Sequence, residues 1–184
     1  MTYDDGEDVI DLLERQHREI RALFEELATA DGDRRTEAFH ELVRLLAVHE
    51  TAEEEVVHPE VGWLTNGDAI VEARLGEEHR AKALLSTLTE IGPEAEGFDT
   101  LLIELRDDVL AHAEHEEREE FPLLREALTP ERLHAMAATA RIAETIAPTR
   151  PHPGVESAMA NLILGPPAAI MDRARDAIRA VLHR

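Results

Sequence analysis

Two histidine–glutamate words stand out in the chain. His49-x-x-x-Glu53 lies in LAVHETAEEEVVHP, residues 46–59, and His112-x-x-x-Glu116 lies in VLAHAEHEEREEFP, residues 109–122. Each continues with a second glutamate, Glu54 or Glu117, and each reaches a proline, Pro59 or Pro122, ten positions after its histidine. A lone histidine precedes each word: His17 in RQHREIRALFEEL, 32 residues before His49, and His79 in EEHRAKALLSTL, 33 residues before His112. The chain therefore carries two copies of one unit, and a fixed internal period dictates architecture. Imidazole and carboxylate together, without sulfur, are the donors that hold iron, manganese or zinc, and spacing alone does not choose among these metals. Six ligands crowd a single ion. Two carboxylates from different helices can bridge a pair of ions, with imidazoles terminal on each. His115-x-x-x-Glu119 is a further match in the same segment, but the repeat and the proline select His112.

The elements that must position these residues are helices. Residues four apart on an α-helix sit about 40° apart on one face. His49 and Glu53 thus point the same way, as do His112 and Glu116. On the first helix the apolar seam is Ile10, Leu13, Ile20, Phe24 and Leu27, and His17 falls on it. On the second it runs Phe39, Leu42, Leu46, His49, Glu53, Val56, and on the fourth Leu102, Leu105, Val109, His112, Glu116. These are core-facing positions of a bundle. A carboxylate there costs several kcal/mol without a compensating charge. No Lys or Arg lies on these seams, so two such carboxylates beside histidines ask for a metal.

The patterning predicts a first helix from about Asp5–Asp8 to Ala28 and a second from about Arg34 to His58, stopped or kinked at Pro59. A third, capped by Asp68, reaches Ile91, and a fourth spans Phe98 to Leu128 with a kink at Pro122. Thr129 and Pro130 start a fifth helix that reaches Ile146. Residues 148–154 read as extended, and Pro167–Leu182 as a final amphipathic helix. The expected fold is all-α: an antiparallel up-down-up-down four-helix bundle over residues 1–128, with a helical extension over 129–184 that packs on the bundle or on a partner. The third helix fits least well. Ile70, Leu84, Leu88 and Ile91 lie on the side away from His79, so partial burial all round is expected there, and His79 rests mainly on the repeat.

Composition bounds the rest. The 184 residues suffice for one domain with a core. With 40 acidic against 19 basic residues the net charge is −21, which argues against nucleic acid and anionic membrane as partners. There is no cysteine, hence no thiol chemistry or thiolate metal site. The acidic start MTYDDGEDV has no apolar signal region, and no apolar run approaches the roughly 20 residues of a membrane span, so a cytoplasmic location is expected. His40, His58, His134, His152 and His183 read as solvated, and Glu54, Glu78 and Glu117 as a solvated acidic face.

The order H…HxxxE…H…HxxxE resembles the hemerythrin-like HHE cation-binding family, over residues 8 to about 128. The resemblance implies a four-helix bundle holding a non-heme di-iron centre, two iron ions joined by an oxo or hydroxo bridge. His17, His49, His79 and His112 would be terminal ligands, and Glu53 and Glu116 the bridging carboxylates. Oxygen-carrying hemerythrins place a second histidine four residues after the third-helix ligand, where this chain has Ala83, and they use H-x-x-x-x-D on the fourth helix where this chain has H-x-x-x-E. The site thus has one nitrogen donor fewer unless Glu50 or His115 substitutes. Binding of and reaction with peroxide, dioxygen or nitric oxide is the implied function, with peroxide decomposition as the enzymatic form and oxygen or iron sensing or storage without turnover as the alternative. The partner would be a small diatomic or peroxide molecule, and the protein a monomer or a homodimer through its C-terminal extension.

Overall fold

The computed structural model describes residues 6–146 and 167–182. Among them are α1 (Val9–Leu27), α2 (Gly32–Ala52), a π-helical turn (Glu53–Val57), α3 (His58–Gly62), α4 (Gly67–Ile91) and α5 (Phe98–His115). A second π turn (Glu116–Glu120), α6 (Phe121–Ala127), α7 (Pro130–Ile146) and α8 (Pro167–Leu182) follow. No strand occurs among the described residues. The bundle is the expected antiparallel one, with α2 running through its π turn into α3 and α5 through its own into α6. The segment 148–154, read above as extended, lies outside the described residues.

α1 starts where its capping residues place it. The Asp8 carboxylate accepts from the N–H groups of Ile10 (2.9 Å) and Asp11 (3.0 Å), while Asp11 accepts from the Asp8 N–H at 3.2 Å. Asp8 also pairs with Arg125 of α6 at 2.9 Å. Asp8→Ala should therefore cost about 1 kcal/mol from the cap alone. That corresponds to a fall of about 2–4 °C in a thermal melt. At the third helix the cap is Asn66, with φ 65°, rather than Asp68. Gly67 follows because a Cβ there would lie 1.8 Å from the Val61 carbonyl oxygen.

The two prolines of the repeat do not end their helices. Each sits in the first turn of the short helix after a π turn. A proline excludes the carbonyl four residues before it from an α-helical hydrogen bond. The wider turn accommodates this: the His58 N–H donates to the Glu53 carbonyl, and the Phe121 N–H to that of Glu116. One extra residue in a turn sets every later side chain back by about 100°.

α1 packs on α2 and α4 on α5, with Phe39 and Phe98 meeting edge-to-face at 5.0 Å in the core. The extension belongs to the same body. α7 lies on α1 and α2, and α8 lays Ile170, Met171, Ala174 and Ile178 against α2 and α7. This second cover is why α2 is buried without interruption from Leu42 to Glu53. α4, expected to be partly buried all round, instead buries one stripe: Arg74, Glu78, Ala81, Leu85, Leu88.

Candidate metal centre

Five of the six residues singled out by the repeat come together at mid-bundle. His17 Nε2 lies 3.2 Å from His49 Nε2 and 3.2 Å from Glu116 Oε2. His49 Nε2 lies 3.0 Å from Glu53 Oε1. His112 Nε2 lies 3.7 Å from Glu53 Oε2 and 3.5 Å from Glu116 Oε1. Each carboxylate thus turns one oxygen toward the imidazoles of α1 and α2 and the other toward His112. Both glutamates are the first residues of the π turns and have no solvent exposure.

The outer ring nitrogens fix the tautomers. His17 Nδ1 donates to Glu117 Oε1 at 2.8 Å, and His112 Nδ1 donates to Glu77 Oε2 at 3.0 Å. His49 Nδ1 donates to Gln16 Oε1 at 2.8 Å, and the Gln16 amide is oriented by its own donation to Glu144 of α7 at 2.9 Å. With the protons outward, the Nε2 lone pairs of His17 and His49 face each other and the carboxylates. Such outer partners orient metal-binding imidazoles, and their loss typically costs 10–100-fold in metal affinity. Gln16→Leu should therefore weaken metal binding by about 10–100-fold at unchanged helix content, measurable by competition with a chelator.

The sixth residue is not there. His79 is exposed, outside the cluster, and the buried side chain is its neighbour Glu78. The α4 stripe steps by four and three through Arg74, Glu78, Ala81, Leu85 and Leu88, which puts His79 about 100° off it. The same one-residue offset leaves Ala83 exposed and puts Lys82 four residues after the inward-facing position. Lys82, the only lysine, bridges Glu78 (2.8 Å), Glu50 (3.2 Å) and Glu54. His58, read as solvated, is buried, as is Glu120, which the sequence reading did not single out. In a straight α-helix His58 would point opposite His49, but the π turn rotates it toward the core. His115 is half-exposed and donates to Glu77 at 2.8 Å instead of joining the cluster. Glu54 and Glu117 are not idle surface acids either, since one holds Lys82 and the other holds His17.

Charge in the metal-free cluster is unevenly shared. Burial, then the charge of Glu53, pushes Glu116 well above the usual carboxylate range. Burial opposes ionisation of Glu53 too, yet His49 and His112 hold it well below that range. Burial with the charges of Glu53 and Glu50 raises Glu78 to about 8, and burial with the charge of Glu53 raises Glu120 to about 7. Burial lowers His17 to about 3 and lowers His58 as well, whereas His112 rises well above its ordinary value against the effect of burial, because Glu116, Glu53 and Glu77 face it. Between pH 6.5 and 8 the lowered histidines are neutral in the fold and, in the unfolded chain, shed only the roughly half-proton each still carries at pH 6.5, which offsets a minor part of the trend. The raised groups, Glu78, Glu120, Glu116 and His112, keep protons in the fold that the unfolded chain has released. Stability of the metal-free protein must then fall as pH rises through that window. A drop on the order of 5 °C in the melting temperature from pH 6.5 to 8 is expected. A flat or rising profile would contradict these protonation states.

The residues fit a metal. Both oxygens of Glu53, Glu116 and Glu120, one oxygen of Glu78, both nitrogens of His58 and His112 Nε2 are buried with no hydrogen-bond partner. Unpaired buried polar atoms of this kind are costly, and cations between them remove the cost. Ligand atoms of His17, His49, Glu53 and Glu116 converge within 4.8 Å of one another, as do those of Glu53, Glu78 and His112 and those of His58, Glu116 and Glu120. Residues 8–124 match the profile of the Hemerythrin HHE cation binding domain. The chain belongs to that family. The likeness of this HHE domain extends to a solved structure, a hemerythrin HHE cation binding domain-containing protein from Mycobacterium kansasii. That structure superposes with a TM-score of 0.71 at 21% identity, covering 91% of this chain and 99% of the other. At that identity the likeness speaks for the fold. A curated relative, a DNA nickase from Nostoc sp., is 29% identical over 136 residues, 73% of this chain, and the match spans 38% of the nickase. No described helix of this HHE domain is long and apolar enough to cross a membrane.

Proposed function

We propose that this HHE protein is a non-heme di-iron protein that binds a small oxidant (peroxide, dioxygen or nitric oxide) in the bundle core and reacts with it. The observation that carries this is the set of unpaired buried carboxylates and imidazoles centred on Glu53 and Glu116. His17 and His49 would hold one ion and His112 would serve the second, with Glu53 and Glu116 shared. Iron bound there supplies reversible electron transfer and Lewis acidity. The chain itself supplies confinement. Ile20, Leu46, Val109, Leu110 and Ala113 close a cavity beside His17, His49 and His112 whose free volume is about 10 Å³. That is the room of about one water molecule, which favours a small molecule over a bulky substrate. Without cysteine in the chain, a reductant has no thiol relay to use and must reach the iron or be peroxide itself. The net charge of −21 opposes a DNA phosphate backbone, so the activity named for the Nostoc relative is not proposed here. The test is elemental analysis of protein expressed with ample iron, followed by addition of hydrogen peroxide to the di-ferric form. Two irons per chain with oxygen evolution are expected. Two irons without turnover would leave sensing or storage as the function, and no bound metal with an intact helical fold would overturn the reading.

A further inference from the structure

The two halves of the cluster are chemically unequal. On the His17–His49 side the donors are two imidazoles and one oxygen from each shared carboxylate. On the other side His58 Nε2 lies 3.6 Å from Glu78 Oε1 and 3.8 Å from Glu120 Oε1, all on side chains that are at least nine-tenths buried. Neither nitrogen of His58, neither oxygen of Glu120, nor Oε1 of Glu78 has a hydrogen-bond partner. Lys82 occupies the remaining Glu78 oxygen, so its free oxygen is the inward one. These atoms adjoin His112 and the second oxygens of Glu53 and Glu116. The first π turn brings His58 into this half. Without the backward rotation after Glu53, His58 would point away from the core, whereas Glu120, four residues after Glu116, shares the face of that glutamate.

We propose that the second metal position is this carboxylate-rich half, formed by His58, Glu78, His112 and Glu120 with the shared Glu53 and Glu116, and that it takes Mn²⁺ while the His17–His49 half takes iron. The inference rests on the two-metal reading above. Imidazole donors suit iron and zinc, whereas carboxylate-rich sets suit manganese. The second half offers two imidazoles and four carboxylates, its ligand atoms falling in two groups of three, Glu53–Glu78–His112 and His58–Glu116–Glu120, against two imidazoles and two carboxylates in the first.

The test loads the metal-free full-length protein without oxygen with equimolar excess Fe²⁺ and Mn²⁺, removes unbound metal, and counts both elements per chain. Two ions are expected, close to one of each. Glu120→Gln, which keeps the side-chain shape, should lower retained manganese at least tenfold and leave about one iron; His58→Gln should do the same. His17→Ala should lose the iron and keep the manganese. The low-temperature electron paramagnetic resonance spectrum reports independently, since manganese coupled to iron loses the signal of isolated Mn²⁺ in the wild type and regains it in His17→Ala. Two ions per chain with negligible manganese would overturn this assignment and leave the two-metal reading standing. Fewer than two ions in the wild type would overturn both. Helix content measured on each variant separates loss of a ligand from loss of the fold.

Discussion

Ferrous iron added to the metal-free protein without oxygen is expected to raise its melting temperature by about 8–16 °C at a free-metal concentration 1,000 times the dissociation constant. A ligand that binds only the folded state at that ratio contributes about 4 kcal/mol. In a domain of this size each kcal/mol moves the midpoint by about 2–4 °C. The expectation rests on the unpaired oxygens of Glu53, Glu116 and Glu120 and on the facing lone pairs of His17 and His49. The control is Glu116→Gln. Burial and the charge of Glu53 keep Glu116 protonated in the metal-free fold, so the neutral, isosteric amide should melt within about 2 °C of wild type without metal. It can no longer offer an anionic oxygen to an ion, and most of the iron-induced shift should vanish. Scanning calorimetry of the four samples decides it. An unshifted wild type, or a Glu116→Gln protein with the full iron shift, would mean that Glu116 is not at a metal.

The parts of the fold that follow from local rules could be read from the sequence. The seams of α1, α2 and α5 are set by apolar residues at steps of three and four, and His17, His49, Glu53, His112 and Glu116 interrupt those seams where the structure brings them together. What could not be read depends on where a helix stops being regular. Pro59 and Pro122 signalled disturbance, but the response was an added residue per turn, not a stop. Helical spacing extended past Glu53 in uniform 100° steps therefore misplaces His58, whereas Glu120, four residues after Glu116, follows the regular spacing and was legible. The third helix misled for a different reason. The repeat aligns His79 with His17, yet the position that turns inward on α4 aligns with Gln16, which in the first half reaches His49 as an outer partner. A signal was present: Glu78, Ala81, Leu85 and Leu88 keep the 3–4 spacing that His79 breaks. The contributions of α7 and α8 through Glu144 and Arg175 are long-range ion pairs and hydrogen bonds between exposed-looking residues, and no local pattern announces them.

Exchanging Glu78 for Gln should lower the affinity for the second ion by about 100-fold or more, whereas His79→Ala should leave both ions bound within about twofold. Loss of an outer partner alone costs 10–100-fold, and Glu78 offers an oxygen to the cluster itself. Its Oε2 is fixed by Lys82, its Oε1 is buried and unpaired, and its ligand atom converges with those of Glu53 and His112. His79, one residue on, faces solvent and has no such geometry. Titrating metal-free protein with Fe²⁺ against a chelator of known affinity gives the two binding steps separately. Wild type and His79→Ala should show two steps and Glu78→Gln only the step belonging to His17 and His49. Lys82→Met should fall between, since it leaves Glu78 in place but frees it to turn, and 10–100-fold is the expected loss. If His79→Ala loses an ion while Glu78→Gln keeps both, the inward register of α4 is wrong by one residue, and with it the carboxylate-rich character of the second position.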